Sequence, residues 1–313
     1  MEYRKLGRSG LSVPRLSFGT LPMAQKNMPL QEGAFLLRMA FDLKINLFDT
    51  AELYGTYPYL REAFNRAESP PPQIVSRSYA DTRDGMKISL DKALRETGFE
   101  KIDIFMLHQQ ESALTLKGHD EALRYLIEAR DGGSIGAVGI STHHVAAVKA
   151  ASQNDSIDVI FSVFNDRGVG IQDGTVEEMH EALKAAHDAG KGILVMKALG
   201  GGHLIGRAEE SLRFCLNSAF VDSVVVGMQN AEELLFNLAI ESGKSPPDEL
   251  RRTLSSQRRS LLIEDCQGCG KCIPACPAGA LNATGGKTVV DREKCLLCGY
   301  CAFACPEFCI KVV

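Results

Sequence analysis

Two stretches near the C-terminus, CQGCGKCIPACP from Cys266 and CLLCGYCAFACP from Cys295, share one spacing: Cys-x2-Cys-x2-Cys-x3-Cys-Pro. Three thiolates set this closely can wrap three corners of an iron–sulfur cube, and the fourth, turning away before proline, ligates the neighbouring cube. The rule assigns Cys266, Cys269, Cys272 and Cys305 to one [4Fe-4S] cluster, and Cys295, Cys298, Cys301 and Cys276 to a second. Corresponding cysteines lie 29 positions apart, so the two runs form an internal repeat. Paired zinc knuckles are the competing reading, but zinc sites seldom use three closely spaced cysteines followed by Cys-Pro. Cys309 falls outside the pattern and is expected as a packed thiol. Between the runs, NATGGKTVVDREKC reads as a β-hairpin.

Reactive side chains of other types are spread through the rest of the chain. Asp49, Tyr54, Arg77 and His108 each fall at or just after the end of a short apolar run. An acid, a phenol, a cation and an imidazole brought together make a proton-delivery group. A cation beside the phenol stabilises the phenolate and makes it a better proton donor near neutral pH. Each residue taken singly also fits a buried polar group that ties down a loop. Four at neighbouring strand ends favour the chemical reading.

The elements needed to position them follow from hydrophobic periodicity. RLSFGT, INLFDT, PQIVSR, IDIFMLH, IGAVGIS, IDVIFSV, GILVMK and DSVVVG read as strands. Stretches such as DGMKISLDKALRETG and TVEEMHEALKAAHDAG read as helices, with apolar residues three and four apart. Eight strands alternating with helices predict an α/β fold, a (β/α)8 TIM barrel, whose chemistry gathers where the strands end. An open doubly wound sheet is the alternative, but no Gly-x-Gly-x-x-Gly follows the first strand.

YRKLGRSGLSVPRLSFGT, FDTAELYG, IDIFMLHQ, AVGIST and VMKALGGG resemble the aldo-keto reductases over nearly all of residues 1–240. The resemblance implies a nicotinamide-dependent, flavin-free carbonyl reductase with an Asp, Tyr, Lys and His catalytic group. It places Asp49, Tyr54 and His108 in that group, with Arg77 at the lysine position. Tyr54 would be the proton donor, His108 would orient the carbonyl, and Asp49 would pair with the cation. The opening EYRKLGRSGLSVPRL would be a hairpin plugging the barrel floor.

Cofactor-binding candidates by the same resemblance are Thr20, Ser141, Thr142, Asn165, Met196, Lys197, Leu199, Gly200, Gly227, Met228 and Gln229. Departures accompany them. Thr142 stands where asparagine is common, Phe161 where glutamine is usual, and Met196 where an aromatic ring often stacks on nicotinamide. Met228, Gln229 and Asn230 offer no cation for a 2'-phosphate, so NAD(H) is expected at least as readily as NADP(H) if a dinucleotide binds. The C-terminal part is similar to a bacterial-type ferredoxin with two [4Fe-4S] clusters. It lacks a long first strand and is expected to lean on the rest of the protein.

The 313-residue chain suits one large unit and one small one. The expected division is a barrel at 1–242, a linker or exposed helix at 243–262, and a small α+β, ferredoxin-like iron–sulfur unit at 263–313. With 45% hydrophobic residues the chain can build a sizeable core, and a net charge of -4 argues against nucleic acid as a partner. No membrane partner is expected either, since no uncharged apolar stretch reaches the roughly 18 residues of a membrane span. Only Cys215 of ten cysteines lies in the first 260 positions, which together with the absence of a signal-peptide pattern predicts a reducing, cytoplasmic setting. The functional expectation is an oxidoreductase acting on a small carbonyl or alcohol, with electron transfer through two clusters and a ferredoxin-type redox partner. A redox-responsive nucleotide- or metabolite-binding protein without turnover is the alternative.

Overall fold

The computed structural model describes residues 1–25, 27–64, 71–256, 260–264, 266–306 and 309–312. Positions 257–259 of the expected linker, and 265, 307, 308 and 313 of the expected C-terminal unit, lie outside them.

The chain opens with an antiparallel hairpin, β1 (Tyr3–Lys5) and β2 (Ser12–Pro14). Eight parallel strands follow: β3 (Leu16–Gly19), β4 (Leu47–Asp49), β5 (Gln73–Ser78), β6 (Ile102–Gln110), β7 (Ile135–Thr142), β8 (Val159–Val163), β9 (Gly192–Met196) and β10 (Ser223–Gly227). They close into a barrel in sequence order, with β10 pairing both β9 and β3. All eight expected strands are present. Their continuous apolar character has a simple cause: β3, β4 and β8 are buried at every position, because one face meets the barrel interior and the other meets helices.

Two cores result. Leu47, Val75, Ile104, Ala137, Val159 and Leu194 point inward, and Leu6 and Val13 of the opening hairpin pack against them, plugging the floor. A larger core lies between the strands and the surrounding helices. The helix Val176–Asp188 shows how sequence builds that layer. Thr175 Oγ1 accepts from the Glu178 N–H at 3.2 Å, while Glu178 Oε2 accepts from the Thr175 N–H at 2.8 Å. This capping box starts the helix, and Met179, Ala182, Leu183 and Ala186 form its buried stripe.

After the barrel a helix, Asp248–Ser256, occupies the expected linker. Among the described residues the C-terminal unit holds four short strands, β11 (Leu261–Ile263), β12 (Leu281–Thr284), β13 (Lys287–Val290) and β14 (Ile310–Val312), and a short helix, Tyr300–Phe303. β11 pairs β14, so this unit has a short first strand, which begins before the expected boundary at 263. β12 and β13 form the expected hairpin across Gly285–Gly286. Both glycines have positive φ, 58° and 74°, as a two-residue turn matched to strand twist requires. Among the described residues no helix is long and apolar enough to cross a membrane.

Candidate active site

Three barrel strands and one short turn bring the expected proton-delivery group together. Asp49 ends β4, Tyr54 closes the 3-10 turn Glu52–Tyr54 just beyond it, Arg77 lies near the end of β5, and His108 lies in β6. All four are buried. Arg77 forks onto Asp49, Nη1 donating to Oδ1 and Nη2 to Oδ2 at 3.1 Å. The same Nη2 donates to the Tyr54 hydroxyl at 2.7 Å. This bidentate clamp is what a planar guanidinium does and an ammonium cannot.

The departure at Phe161 belongs with the arginine. The Arg77 guanidinium carbon lies 4.9 Å from the Phe161 ring centroid and 5.3 Å from that of Tyr54. A flat cation held beside two aromatic rings gains from their electron-rich π-systems. In packing terms the two departures act as one.

Burial opposes the charge on Arg77, but Asp49 and the nearby phenols outweigh it and hold the guanidinium protonated, well above its ordinary range. Burial pushes the Asp49 carboxyl up, against the pull of Arg77. For His108, burial first and then Arg77 and His143 drive the pKa well below its ordinary value. The imidazole is therefore neutral at pH 7. Tyr79 stacks on it, with ring centroids 4.1 Å apart and planes 24° from parallel.

Sequence reasoning missed the residue that completes the group. Tyr300, between Cys298 and Cys301 of the second run, places its hydroxyl 3.1 Å from His108 Nε2 and 3.4 Å from the Tyr54 hydroxyl. The C-terminal unit lies over the barrel mouth and inserts this ring. Gln25 Nε2 donates to the Cys298 carbonyl, and His203 Nε2 contacts the Cys295 carbonyl. Gly201 shows how close the approach is: its φ is 69°, and a Cβ there would sit 1.9 Å from the Leu296 carbonyl oxygen. One signal in the sequence points to Tyr300. By the 29-residue repeat its counterpart in the first run is Lys271, which is exposed.

The cavity below this lid has a volume of about 160 Å³. Asp49, Tyr54, Arg77 and His108 line it from the barrel, and Leu296, Leu297, Cys298 and Tyr300 from the lid. Of the cofactor candidates, Ser141, Thr142, Met196, Lys197, Leu199 and Gly227 contribute to its walls. Thr20, Asn165, Gly200, Met228 and Gln229 do not. Thr20 instead donates to the Asp49 carbonyl at 2.9 Å, and the Gln229 N–H donates to Glu233 at 2.9 Å. Asn165 Nδ2 braces the carbonyls of Val169 (2.9 Å) and Lys197 (3.1 Å).

The cysteines act on one another. Cys295 feels Cys298 and Cys276, and Cys301 feels Cys298, Cys276, Cys295 and Cys272. Cys305 and Cys266 both act on Cys309. Backbone N–H groups donate to several of the cysteine sulfurs. Gly268 and Thr288 donate to Cys266 Sγ, each at 3.4 Å, and this donation lowers its pKa. Ala280 donates to Cys276 Sγ and Cys309 to Cys305 Sγ, each at 3.3 Å. Sulfurs that accept from the backbone suit thiolate ligands of an iron–sulfur cluster, whose potential such bonds tune.

Comparison with known proteins agrees with this architecture. The model of the aldo/keto reductase family matches residues 15–248, and that of a 4Fe-4S dicluster domain matches residues 260–307. L-glyceraldehyde 3-phosphate reductase of Escherichia coli (strain K12) is 29% identical over 167 residues, 46% of this chain and 46% of that protein. L-galactose dehydrogenase of Arabidopsis thaliana is 26% identical over 214 residues, 63% of this chain and 65% of its own. The first of these matches spans about half the length of the curated relative. An aldo-keto reductase from Bacillus halodurans, in its holo form, superposes with a TM-score of 0.67 at 18% identity, covering 82% of this chain and 95% of that one. The chain thus belongs to the aldo/keto reductase family, with a 4Fe-4S dicluster domain on the same polypeptide.

Proposed function

We propose that the protein is an iron–sulfur oxidoreductase that reduces a small carbonyl compound, or oxidises the corresponding alcohol, in the cavity between barrel and dicluster domain. One observation carries this reading: Tyr300, flanked by two cluster-ligand cysteines, meets Tyr54 and His108 at the barrel's reacting group. Cys266, Cys269, Cys272 and Cys305 would hold one cluster, and Cys295, Cys298, Cys301 and Cys276 the other. When bound, the clusters supply electrons one at a time, and two clusters together hold the two electrons that turn a carbonyl and two protons into an alcohol.

The chain's own residues would handle the oxygen. Tyr54 gives it one of the two protons, and Arg77, already bonded to Tyr54, stabilises the phenolate left behind, while the second proton, bound for the carbonyl carbon, comes from water. Neutral His108 and the Tyr300 hydroxyl border the position of the substrate oxygen and offer hydrogen bonds to charge that develops there. Asp49 keeps the guanidinium in place and compensates its charge. The substrate is compact, since a cavity of about 150 Å³ admits a molecule the size of benzene. Small carbonyl compounds are also the substrate class that family membership supports.

This scheme draws its electrons from the clusters and involves no nicotinamide. A ferredoxin-type partner would feed the clusters. The same Tyr300 contact also serves the second reading, a redox-responsive binding protein without turnover.

Anaerobic mixing separates these possibilities. Reduced ferredoxin should reduce the clusters at once, and NADH or NADPH alone should leave them oxidised for minutes. A panel of small aldehydes and ketones should then reoxidise them with formation of alcohol. Rapid bleaching by NADH in a flavin-free preparation would restore the nicotinamide route. Reversible cluster reduction with no product from any carbonyl or alcohol would favour the binding protein.

A further inference from the structure

Two lysines flank strand β9. Lys191, before it, is buried, and its ammonium donates to the carbonyls of Asn154 at 2.6 Å and Ile157 at 2.7 Å. That is how this fold satisfies a buried lysine with a structural task. Lys197, just after the strand, is held differently. Its ammonium nitrogen is inaccessible to solvent and has no hydrogen-bond partner among the described residues. Its backbone has φ 56°, a left-handed conformation unfavourable for a side chain of this size. Asn165 Nδ2 at 3.1 Å and the Gly200 N–H at 2.8 Å both hold its carbonyl there. Strained backbone fixed by two hydrogen bonds, aiming an unpartnered cation into a cavity, is a pattern of functional sites.

The charges that act on Lys197 come from Cys298, Cys295 and Cys276, three of the four cysteines assigned to the second cluster. Lys197 and Cys298 also line the same cavity. Burial lowers the ammonium's pKa, and these cysteines pull it the other way. The loop that follows Lys197 packs on the second run, with Gly201 against the Leu296 carbonyl and His203 against that of Cys295.

We propose that Lys197 is the counter-charge of the second cluster, favouring its reduced form and drawing the electron to the cavity. The inference rests on the reading above, in which that cluster serves the barrel site. The step is simple: one electron moves from an external donor such as reduced ferredoxin, no bond forms or breaks in the protein, and the cluster gains one negative charge. A fixed cation in a dry site stabilises the more negative state by more than the less negative one.

The test is a redox titration of the anaerobic holoprotein followed by electron paramagnetic resonance. The second cluster's signal is the one that Cys298→Ser alters. In Lys197→Met its reduction equilibrium should fall at least tenfold, 59 mV for a one-electron couple. The first cluster should not move, and Lys197→Arg should recover most of the shift. Iron is counted alongside, and if the methionine variant loses the second cluster, Lys197→Gln decides. No shift in the charge-removing variants, or an equal shift in both clusters, would overturn the proposal. Because the titration reads potential and not turnover, such a failure leaves the proposed activity standing. If the variants show the expected shift and the wild type turns over nothing, that would count against the activity alone.

Discussion

The two cysteine runs share a spacing and differ in what lies between the cysteines. In the first, Gly270-Lys271 separates Cys269 from Cys272, and both Cys269 and Lys271 are exposed. In the second, Gly299-Tyr300 separates Cys298 from Cys301, and the tyrosine reaches the barrel's reacting group. Cys295 and Cys301 are buried, and the Cys295 carbonyl is bound by a barrel histidine. A duplicated motif therefore yields two environments. Ligand spacing provides for two clusters, while the residues between the cysteines give the first run a solvent face and the second a face on the barrel. In the proposed scheme the first is the port of entry and the second the point of delivery.

The largest effect should come from removing the group that the second run touches. Tyr54→Phe deletes the proposed proton donor, and general acid catalysis contributes around 10²- to 10⁴-fold. Turnover of any substrate found in the carbonyl panel should fall by that order, with iron content unchanged. Arg77→Met should cost far more activity than Arg77→Lys, because lysine keeps the charge beside Tyr54 and loses only the fork. Normal turnover by Tyr54→Phe would rule out Tyr54 as the proton donor.

A smaller effect sharpens the comparison by crossing it. Cys276 belongs to the first run in sequence, yet its charge acts on both Cys295 and Cys301 of the second. Cys276→Ser should therefore weaken or abolish the second cluster's paramagnetic signal and leave the first close to full intensity. Damage confined to the first cluster would mean that each run serves its own cluster.

Much of this was legible in the sequence, for physical reasons. The barrel strands are short, apolar on both faces and separated by amphipathic helices, so their pattern is local. Asp49, Tyr54, Arg77 and His108 could be found because strand ends mark where barrel chemistry gathers. Tyr300 could not, since its meaning comes from docking between distant segments. Its contact with His108 spans 192 residues of sequence. Lys197 was legible as a cavity residue near a cofactor. That its ammonium lacks a partner, unlike that of Lys191, depends on carbonyls brought close only by folding. Nor could Phe161 be paired with Arg77 before β5 and β8 were placed around one interior.

The subtlest difference between the two environments should show in acid. His108 and His143 lie on the barrel side of the second run, and both are held well below their ordinary pKa, chiefly by burial. An unfolded chain protonates these imidazoles below about pH 6.5, whereas the folded one does not. The unfolded state then binds more protons, so their contribution is complete above that pH and is lost as the pH falls toward the folded values. The expected slope is about 1.4 kcal/mol per pH unit for each imidazole. Denaturant unfolding at pH 7, 6 and 5, followed by far-ultraviolet circular dichroism under anaerobic conditions, measures it. Cluster loss in acid affects wild type and variant alike, so the difference between them is the informative quantity. His143→Gln removes one titrating group and should flatten the decline by that single increment. If its decline matches the wild type, the folded protein must accept a proton at His143, and the dry surroundings inferred for the second run's side of the barrel would be wrong.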